Sequence, residues 1–309
     1  MDNCTSVTEF FLLGFSNSRE LQLVYATMFL LVYLASLMGN LLIITVITHD
    51  RHLHTPMYFF LKNLSFIDLC YISVTVPKSI LNGLTGSGSI SLLGCVLQVF
   101  WVTFLACAEL LLLTAMSYDR YIAICCPLRY DSIMNRGASV KMVAVSWLGG
   151  SFNGFLHTAA SCTLPFCGSN VIHQFFCEIP QLLKLSSSRR NVPELAVTVV
   201  SAVLVLFSFI AIIISYVRIF SAVMKISSVE GQSKAFSTCL PHLLVFTTFL
   251  ITCVFEYLKP TSDSPSILDV LLSVFYTVVP PTLNPLIYSL RNMDMKAAIG
   301  KFMGSCRIR

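Results

Sequence analysis

The sequence predicts an all-α membrane protein, a seven-transmembrane helix bundle with an extracellular N-terminus, a cytoplasmic C-terminus and a short amphipathic eighth helix. Three observations lead there. Charged residues are only 11% of the 309 positions, against about 25% in soluble domains. The apolar fraction of 56% leaves too little polar surface to cover a globule. Seven windows of about 20 mostly apolar residues recur, each long enough to cross about 30 Å of hydrocarbon at about 1.5 Å per residue.

The elements follow in order as one domain, 1–309. The outer segment 1–22 shows no cleavable signal: "EFFLLGF" (Glu9–Phe15) is short and lacks a basic flank, so the first span, 23–48, targets the chain itself. Spans two and three, 58–82 and 96–124, are joined through "GLTGSGS" (Gly83–Ser89). That stretch has no lysine and follows no strand, so it is a turn and not a phosphate cradle. Span four, 139–161, contains "GGSFN" (Gly149–Asn153), which lacks the second glycine of a nucleophile elbow. Spans five, six and seven cover 195–223, 236–258 and 268–289, and Asn284-Pro285 loosens the last of them locally. In the tail, 290–309, "RNMDMKAAIGKFMG" (Arg291–Gly304) sets Met293, Ala297 and Ile299–Phe302 against basic residues, as in a helix lying on the inner leaflet. The apolar runs are continuous rather than alternating, which selects helices over a β-barrel.

Charge orients the bundle. Arg51, Arg129, Arg136, Lys141, Lys225, Lys234, Arg291, Lys296 and Lys301 cluster in the loops and tail on one side, while the other side holds fewer bases and most of the acids. The positive-inside rule makes the first side cytoplasmic. The net charge of +5 is this inner belt, and no nucleic-acid partner is needed to explain it. "NCT" (Asn3–Thr5) then lies outside, where Asn3 is a glycosylation acceptor.

Polar residues inside the spans are few: Asn40, Asp68, Glu109, His242 and Asn284. A charge near mid-membrane costs about 2.5–3.5 kcal/mol on insertion scales, so these groups must compensate one another. Asp68 and Glu109 lie at similar depth, and two acids in a dry site require a shared proton or an intervening cation. Asn40 and Asn284 would complete such a cage. On the outer half of span three, Thr103, Ala106, Cys107 and Leu110 recur at helical spacing and face one way. Asp119 and Arg120 fall together at its cytoplasmic end. No Ser–His–acid, metal or P-loop set survives, so an enzyme is not expected.

Several segments together resemble a known family: "GN" (Gly39–Asn40), "LHTPMYFFLKNLSFIDLC" (Leu53–Cys70), "MSYDRYIAICCPLRY" (Met116–Tyr130), "SY" (Ser215–Tyr216), "KAFSTC" (Lys234–Cys239) and "PTLNPLIYSLRN" (Pro281–Asn292). In this order on seven spans the chain resembles a rhodopsin-like G-protein-coupled receptor, and "PMYF" and "KAFSTC" make it similar to the olfactory branch. The resemblance implies that Arg120 is held by Asp119 at rest and released toward a G protein, where Tyr216 and Tyr288 meet it; Asn284 and Pro285 belong to the same switch. It implies a sodium ion near Asp68, Glu109, Asn40 and Asn284, with no other cofactor. It also implies a Cys95–Cys177 disulfide, which closes a loop of about 82 residues and constrains the unfolded chain by about 4–5 kcal/mol on the entropy model. The ligand pocket it implies is lined by the span-three stripe, by Ser201, Leu204 and Val205, by Cys253, Val254 and Tyr257, and by Thr277. Thr103, Ser201 and Tyr257 are expected to supply the orienting hydrogen bonds.

The chain departs from the olfactory pattern twice. Ser187 stands about where such receptors carry a further loop cysteine, which leaves Cys167 either paired with Cys162 or free. Leu250 replaces the usual tyrosine beneath the ligand. Val102 stands where amine receptors place an aspartate, which disfavours a cationic amine. The expected function is therefore an odorant receptor of the plasma membrane, in contact with the lipid bilayer. It would bind small, volatile, weakly polar molecules and activate a stimulatory-type heterotrimeric G protein and cyclic-AMP signalling. The alternative is a related receptor for a non-odorant small molecule outside the olfactory epithelium. A transporter would want paired repeats or discontinuous helices, and neither is seen.

Overall fold

The computed structural model describes residues 8–13, 18–166, 170–172, 174–186, 192–258 and 267–307. Its elements, in chain order, are β1 (Glu9–Leu12), α1 (Arg19–His49), α2 (Pro56–Thr85), β2 (Ser89–Ser91), α3 (Leu92–Cys125), α4 (Tyr130–Ile133), α5 (Arg136–Ser161), β3 (Val171–Ile172), α6 (Ile179–Leu185), α7 (Val192–Val223), α8 (Val229–Leu258), α9 (Ile267–Arg291) and α10 (Met293–Arg307). Among the described residues the seven long helices are α1, α2, α3, α5, α7, α8 and α9. Each contains one of the expected spans and begins before it, and at α2, α3 and α5 the added residues carry capping signals. Ser91 accepts from the Gly94 amide at the start of α3, and Asn135 from the Ala138 amide at the start of α5. Pro56 opens α2, and Gly86, with φ 74°, closes it in the left-handed conformation.

Among the described residues, α1, α2, α3, α7 and α8 as far as Ile251 are long and apolar enough to cross a membrane, with mean hydropathies of 1.4 to 3.0. The helix α5 is more polar because its buried face consists of small and hydrogen-bonding residues: Ser139, Ser146, Gly150, Gly154, His157 and Ser161. That face packs on α3, the central rod, which also touches α2, α7 and α8. The core around α3 is built from Leu105, Ala108, Leu112 and Leu113 with Ile43, Phe60, Leu64 and Ile67. Large apolar residues on the outside, such as Leu31, Met38, Leu148, Phe152 and Phe207, are exposed because their solvent is lipid. On α7 the buried stripe is narrow, at Ser208, Ile212, Tyr216, Ile219 and Val223.

Two features differ from the sequence reading. The segment Glu9–Leu12 is a strand, the centre of a small sheet ordered β2-β1-β3. It runs antiparallel to β2, with Phe10 opposite Ile90, and parallel to β3, with Leu12 opposite Ile172. Phe10 and Leu12 point inward onto Cys95, Val99, Leu164, Cys177 and Leu182, so the sheet covers part of the outer end of the bundle. In α10 the inward face is Met295 and Ala298 with Ile299 and Phe302, whereas Met293 and Ala297 are exposed. The phase is set by the start of the helix: Asn292 Oδ1 accepts from the Asp294 and Met295 amides and from the Tyr58 hydroxyl of α2. Met295 is thereby turned toward the bundle.

Candidate functional site

The cytoplasmic end of α3 carries the expected pair. Arg120 donates through Nε to Asp119 Oδ2 at 3.0 Å and through Nη2 to the same oxygen. Asp119 is fully buried, and its Oδ1 accepts from the Tyr130 hydroxyl of α4 at 2.8 Å. Burial, and then the Asp119 carboxylate, push the Tyr130 phenol up, so it remains a donor at neutral pH. Asp119 thus holds Arg120 and is itself held from a neighbouring element.

Tyr216 is engaged elsewhere. Its hydroxyl lies 2.7 Å from His242 Nδ1, and His242 Nε2 lies 3.0 Å from the Leu113 carbonyl of α3. A carbonyl only accepts, so Nε2 carries a proton and, in the neutral ring, Nδ1 accepts from Tyr216. His242 therefore ties α8 to both α7 and α3. The sequence signal for it was a single imidazole inside an apolar span. Tyr288 is buried, its hydroxyl has no partner, and it stands within electrostatic range of Asp68, Arg120 and Glu109. Leu250 packs beside the Tyr216–Phe246 cluster, which is where an aromatic residue was expected.

In mid-bundle, Asn284 Nδ2 donates to both Asp68 oxygens, at 3.3 and 3.0 Å. Glu109 is close enough to interact electrostatically with Asp68, and its Oε1 is buried without a partner. Asn40 also serves the backbone. Pro285 has no N–H to offer the carbonyl four residues earlier, that of Pro281. Asn40 Nδ2 and Ser36 Oγ donate to that carbonyl instead, at 2.8 and 2.9 Å. A Cβ on Gly39 would stand 3.0 Å from Pro285 Cβ, so "GN" lets the proline approach and then satisfies the backbone it disrupts. Only the Oδ1 of Asn40 is left without a partner.

The outer half is where the ligand residues were expected. Cys107 and Leu110 are buried and Ala106 is half-buried on one face of α3. The Thr103 hydroxyl donates to the Val99 and Phe100 carbonyls, which leaves its oxygen as an acceptor. Thr277 is fully buried and its hydroxyl has no partner. Leu204 is half-buried, but Val205 is 40% exposed on the lipid side of α7, because the inward stripe runs through Ser201, Leu204 and Ser208; Val205 is not a lining residue. Cys253, Val254 and Tyr257 fall within α8, but their side chains lie outside the described residues, as do Asn3 and Cys167. Cys162 is a free, exposed thiol, so the Cys162–Cys167 pairing is not the one adopted.

Cys95 and Cys177 form a disulfide with Cα atoms 5.4 Å apart. Gln98 supports it by accepting from the Cys177 amide at 2.8 Å while donating to the Val74 carbonyl at 2.9 Å. Ser201 belongs to a network the sequence did not disclose. It donates to Asn153 Oδ1 at 2.7 Å and lies 2.9 Å from His157 Nε2, while His157 Nδ1 lies 2.7 Å from Glu194 Oε1. With its one proton on Asn153, Ser201 accepts from Nε2–H, and Nδ1 faces Glu194. This chain joins α5 to α7 and fixes the Ser201 hydroxyl. Its two ionisable members come one from each span, so no spacing within the sequence announces the pair.

A disulfide-pinned outer end, a polar mid-bundle and a latched arginine at the inner rim are the parts of a seven-helix receptor of the rhodopsin fold. Squid rhodopsin superposes with a TM-score of 0.71 over 94% of this chain and 87% of its own, at 16% identity. The olfactory receptor family model matches residues 29–305. Human olfactory receptor 14L1 is 58% identical, the match covering 98% of this chain and 93% of that protein. Human olfactory receptor 14A16 is 58% identical, covering 97% of each. The chain belongs to the olfactory receptor family. It is a multi-pass membrane receptor that couples to a G protein, and not an enzyme.

Proposed function

We propose that this receptor resides in the plasma membrane, binds small, volatile, weakly polar odorants between α3, α7, α8 and α9, and activates a stimulatory-type heterotrimeric G protein. The observation that carries the reading is the latch: Arg120 is held on Asp119 while Tyr216 is occupied by His242. A ligand that favours the alternative packing of α7 and α8 frees both groups. An odorant of about 10–15 heavy atoms supplies about 5–8 kcal/mol, roughly micromolar binding and enough to shift a two-state receptor. In transfected cells an odorant panel is expected to yield agonists that raise cyclic AMP. Thr103→Ala, Ser201→Ala and Tyr257→Phe should each weaken the agonist about threefold to tenfold, the scale of one hydrogen bond. A panel in which the three variants leave every agonist's potency unchanged would remove these residues from the pocket.

The mid-bundle suits a monovalent cation. Asp68, Glu109, the Asn40 carbonyl oxygen and the Tyr288 hydroxyl offer hard oxygen donors, and all but Asp68 include an atom with no protein partner. Asp68 and Glu109 would hold a sodium ion and Asn284 would orient Asp68, so that the resting packing is favoured. Raising sodium is therefore expected to lower agonist affinity, and Asp68→Asn to abolish that dependence. A wild-type affinity that is flat across a sodium titration would refute the site.

A further inference from the structure

A cavity of 480 Å³ lies at the outer end of the bundle, between the start of α3 and the end of α5. Its inner wall is the first turns of α3, with Val96 and Val99, and its outer wall is the last turn of α5, with Thr158, Ser161 and Cys162. Phe10 of β1 helps to close it, and Phe10 packs edge-on against Phe166 with ring centroids 5.2 Å apart. The size falls within the range of about 300–1,000 Å³ usual for small-molecule sites.

The lining is apolar except for two hydroxyls. Ser161 is 4% exposed and its Oγ has no hydrogen-bond partner; Thr158 Oγ1 is also buried and unpartnered. Buried hydroxyls are ordinarily satisfied, so two of them in one apolar chamber mark a place for an acceptor. The α3 wall also continues inward: Val96, Val99, Thr103, Ala106 and Leu110 follow one another at intervals of three or four residues and share a helix face. From Val99 to Thr103 is one turn, about 6 Å along the axis.

We propose that this cavity is a second, outer binding site for a small apolar molecule with a single hydrogen-bond acceptor, such as an aliphatic ketone, aldehyde or ester. Its carbonyl oxygen accepts from Ser161 and Thr158, and its chain lies against Val96, Val99 and Phe10. The site is separate from the pocket beside Ser201 and Thr277, and its test does not read signalling, so it stands or falls apart from the proposed function.

Cys162 at the rim is an exposed free thiol and therefore a reporter. The full-length receptor in lipid nanodiscs is treated with N-ethylmaleimide, and alkylation of Cys162 is followed by peptide mass spectrometry with and without 2-octanone. Saturating ketone is expected to slow alkylation at least about fivefold. Ser161→Ala removes a hydroxyl that bonds nothing in the protein, so the fold is kept, while the half-protecting ketone concentration rises about threefold to tenfold. Octane is expected to protect only at higher concentration. An alkylation rate that ketone does not change overturns the proposal. So does protection unaltered by Ser161→Ala, which would place the ketone elsewhere, or equal protection by octane, which would mark a crevice for lipid chains.

Discussion

Replacing Arg120 with alanine, in receptor that still reaches the cell surface, is expected to reduce agonist-driven nucleotide exchange by the heterotrimer at least about a hundredfold. The reason is local. Arg120 sits at the cytoplasmic end of α3 on a buried carboxylate of its own helix, so its position reports how α3 sits among its neighbours. Neutralising Asp119 should act in the opposite direction. Asp119→Asn removes the charge that retains the guanidinium; a shielded ion pair is worth more than the 0–1 kcal/mol of an exposed one, and about 1–3 kcal/mol raises basal exchange roughly fivefold to a hundredfold. Tyr130→Phe deletes one hydrogen bond to Asp119 and should fall between wild type and Asp119→Asn. The measurement is guanine-nucleotide exchange on purified heterotrimer, normalised to surface receptor. Wild-type exchange from Arg120→Ala would show that the latch is only structural.

The seven spans were legible because a helix that crosses lipid is apolar over most of its surface, and even α5, with a polar face turned to α3, keeps an apolar outer side. Asp68 and Asn284 were legible because a polar group in lipid needs a partner, and Asp119 and Arg120 through the family resemblance of the segment that carries them. What escaped depended on contacts made only after folding. Glu9–Leu12 is four residues long and finds its strand partners about 80 and 160 positions away, so nothing adjacent to it signals a sheet. His157 and Glu194 meet through the packing of α5 on α7. The inward phase of α10 depends on Asn292, which begins that helix, and Asn40 acquires its role from the proline opposite it. Val205 lies next to the inward stripe of α7, where a difference of one position turns a side chain from ligand to lipid. The G-x-x-x-G spacing of Gly150 and Gly154 likewise takes its meaning only from the packing of α5 on α3.

That spacing underlies the second large effect. Gly150→Val is expected to leave less than about a tenth of the receptor at the cell surface. A Cβ on Gly150 would stand 2.6 Å from the Phe104 carbonyl oxygen, 2.8 Å from Ala108 Cβ and 2.9 Å from the Ala108 amide nitrogen. A Cβ on Gly154 would meet the Phe100 carbonyl oxygen and Phe104 Cβ, both at 2.9 Å. These obstacles are backbone or Cβ atoms, which rotamer changes cannot move, so α5 must back away from α3. Inside a bilayer that retreat is not resisted by the hydrophobic effect, because lipid is as apolar as the helix it replaces; association rests on close van der Waals contact. Overpacking of this kind costs about 3 kcal/mol or more, roughly a hundredfold in the folded population. It would also part Asn153 and His157 from Ser201. Gly149→Ala is the control: its Cβ meets only Leu111 Cδ1 at 2.9 Å, the end of a flexible side chain, and delivery should stay near wild type. Surface labelling of the two variants decides the matter, and normal delivery of Gly150→Val would mean that α3 and α5 do not depend on this approach.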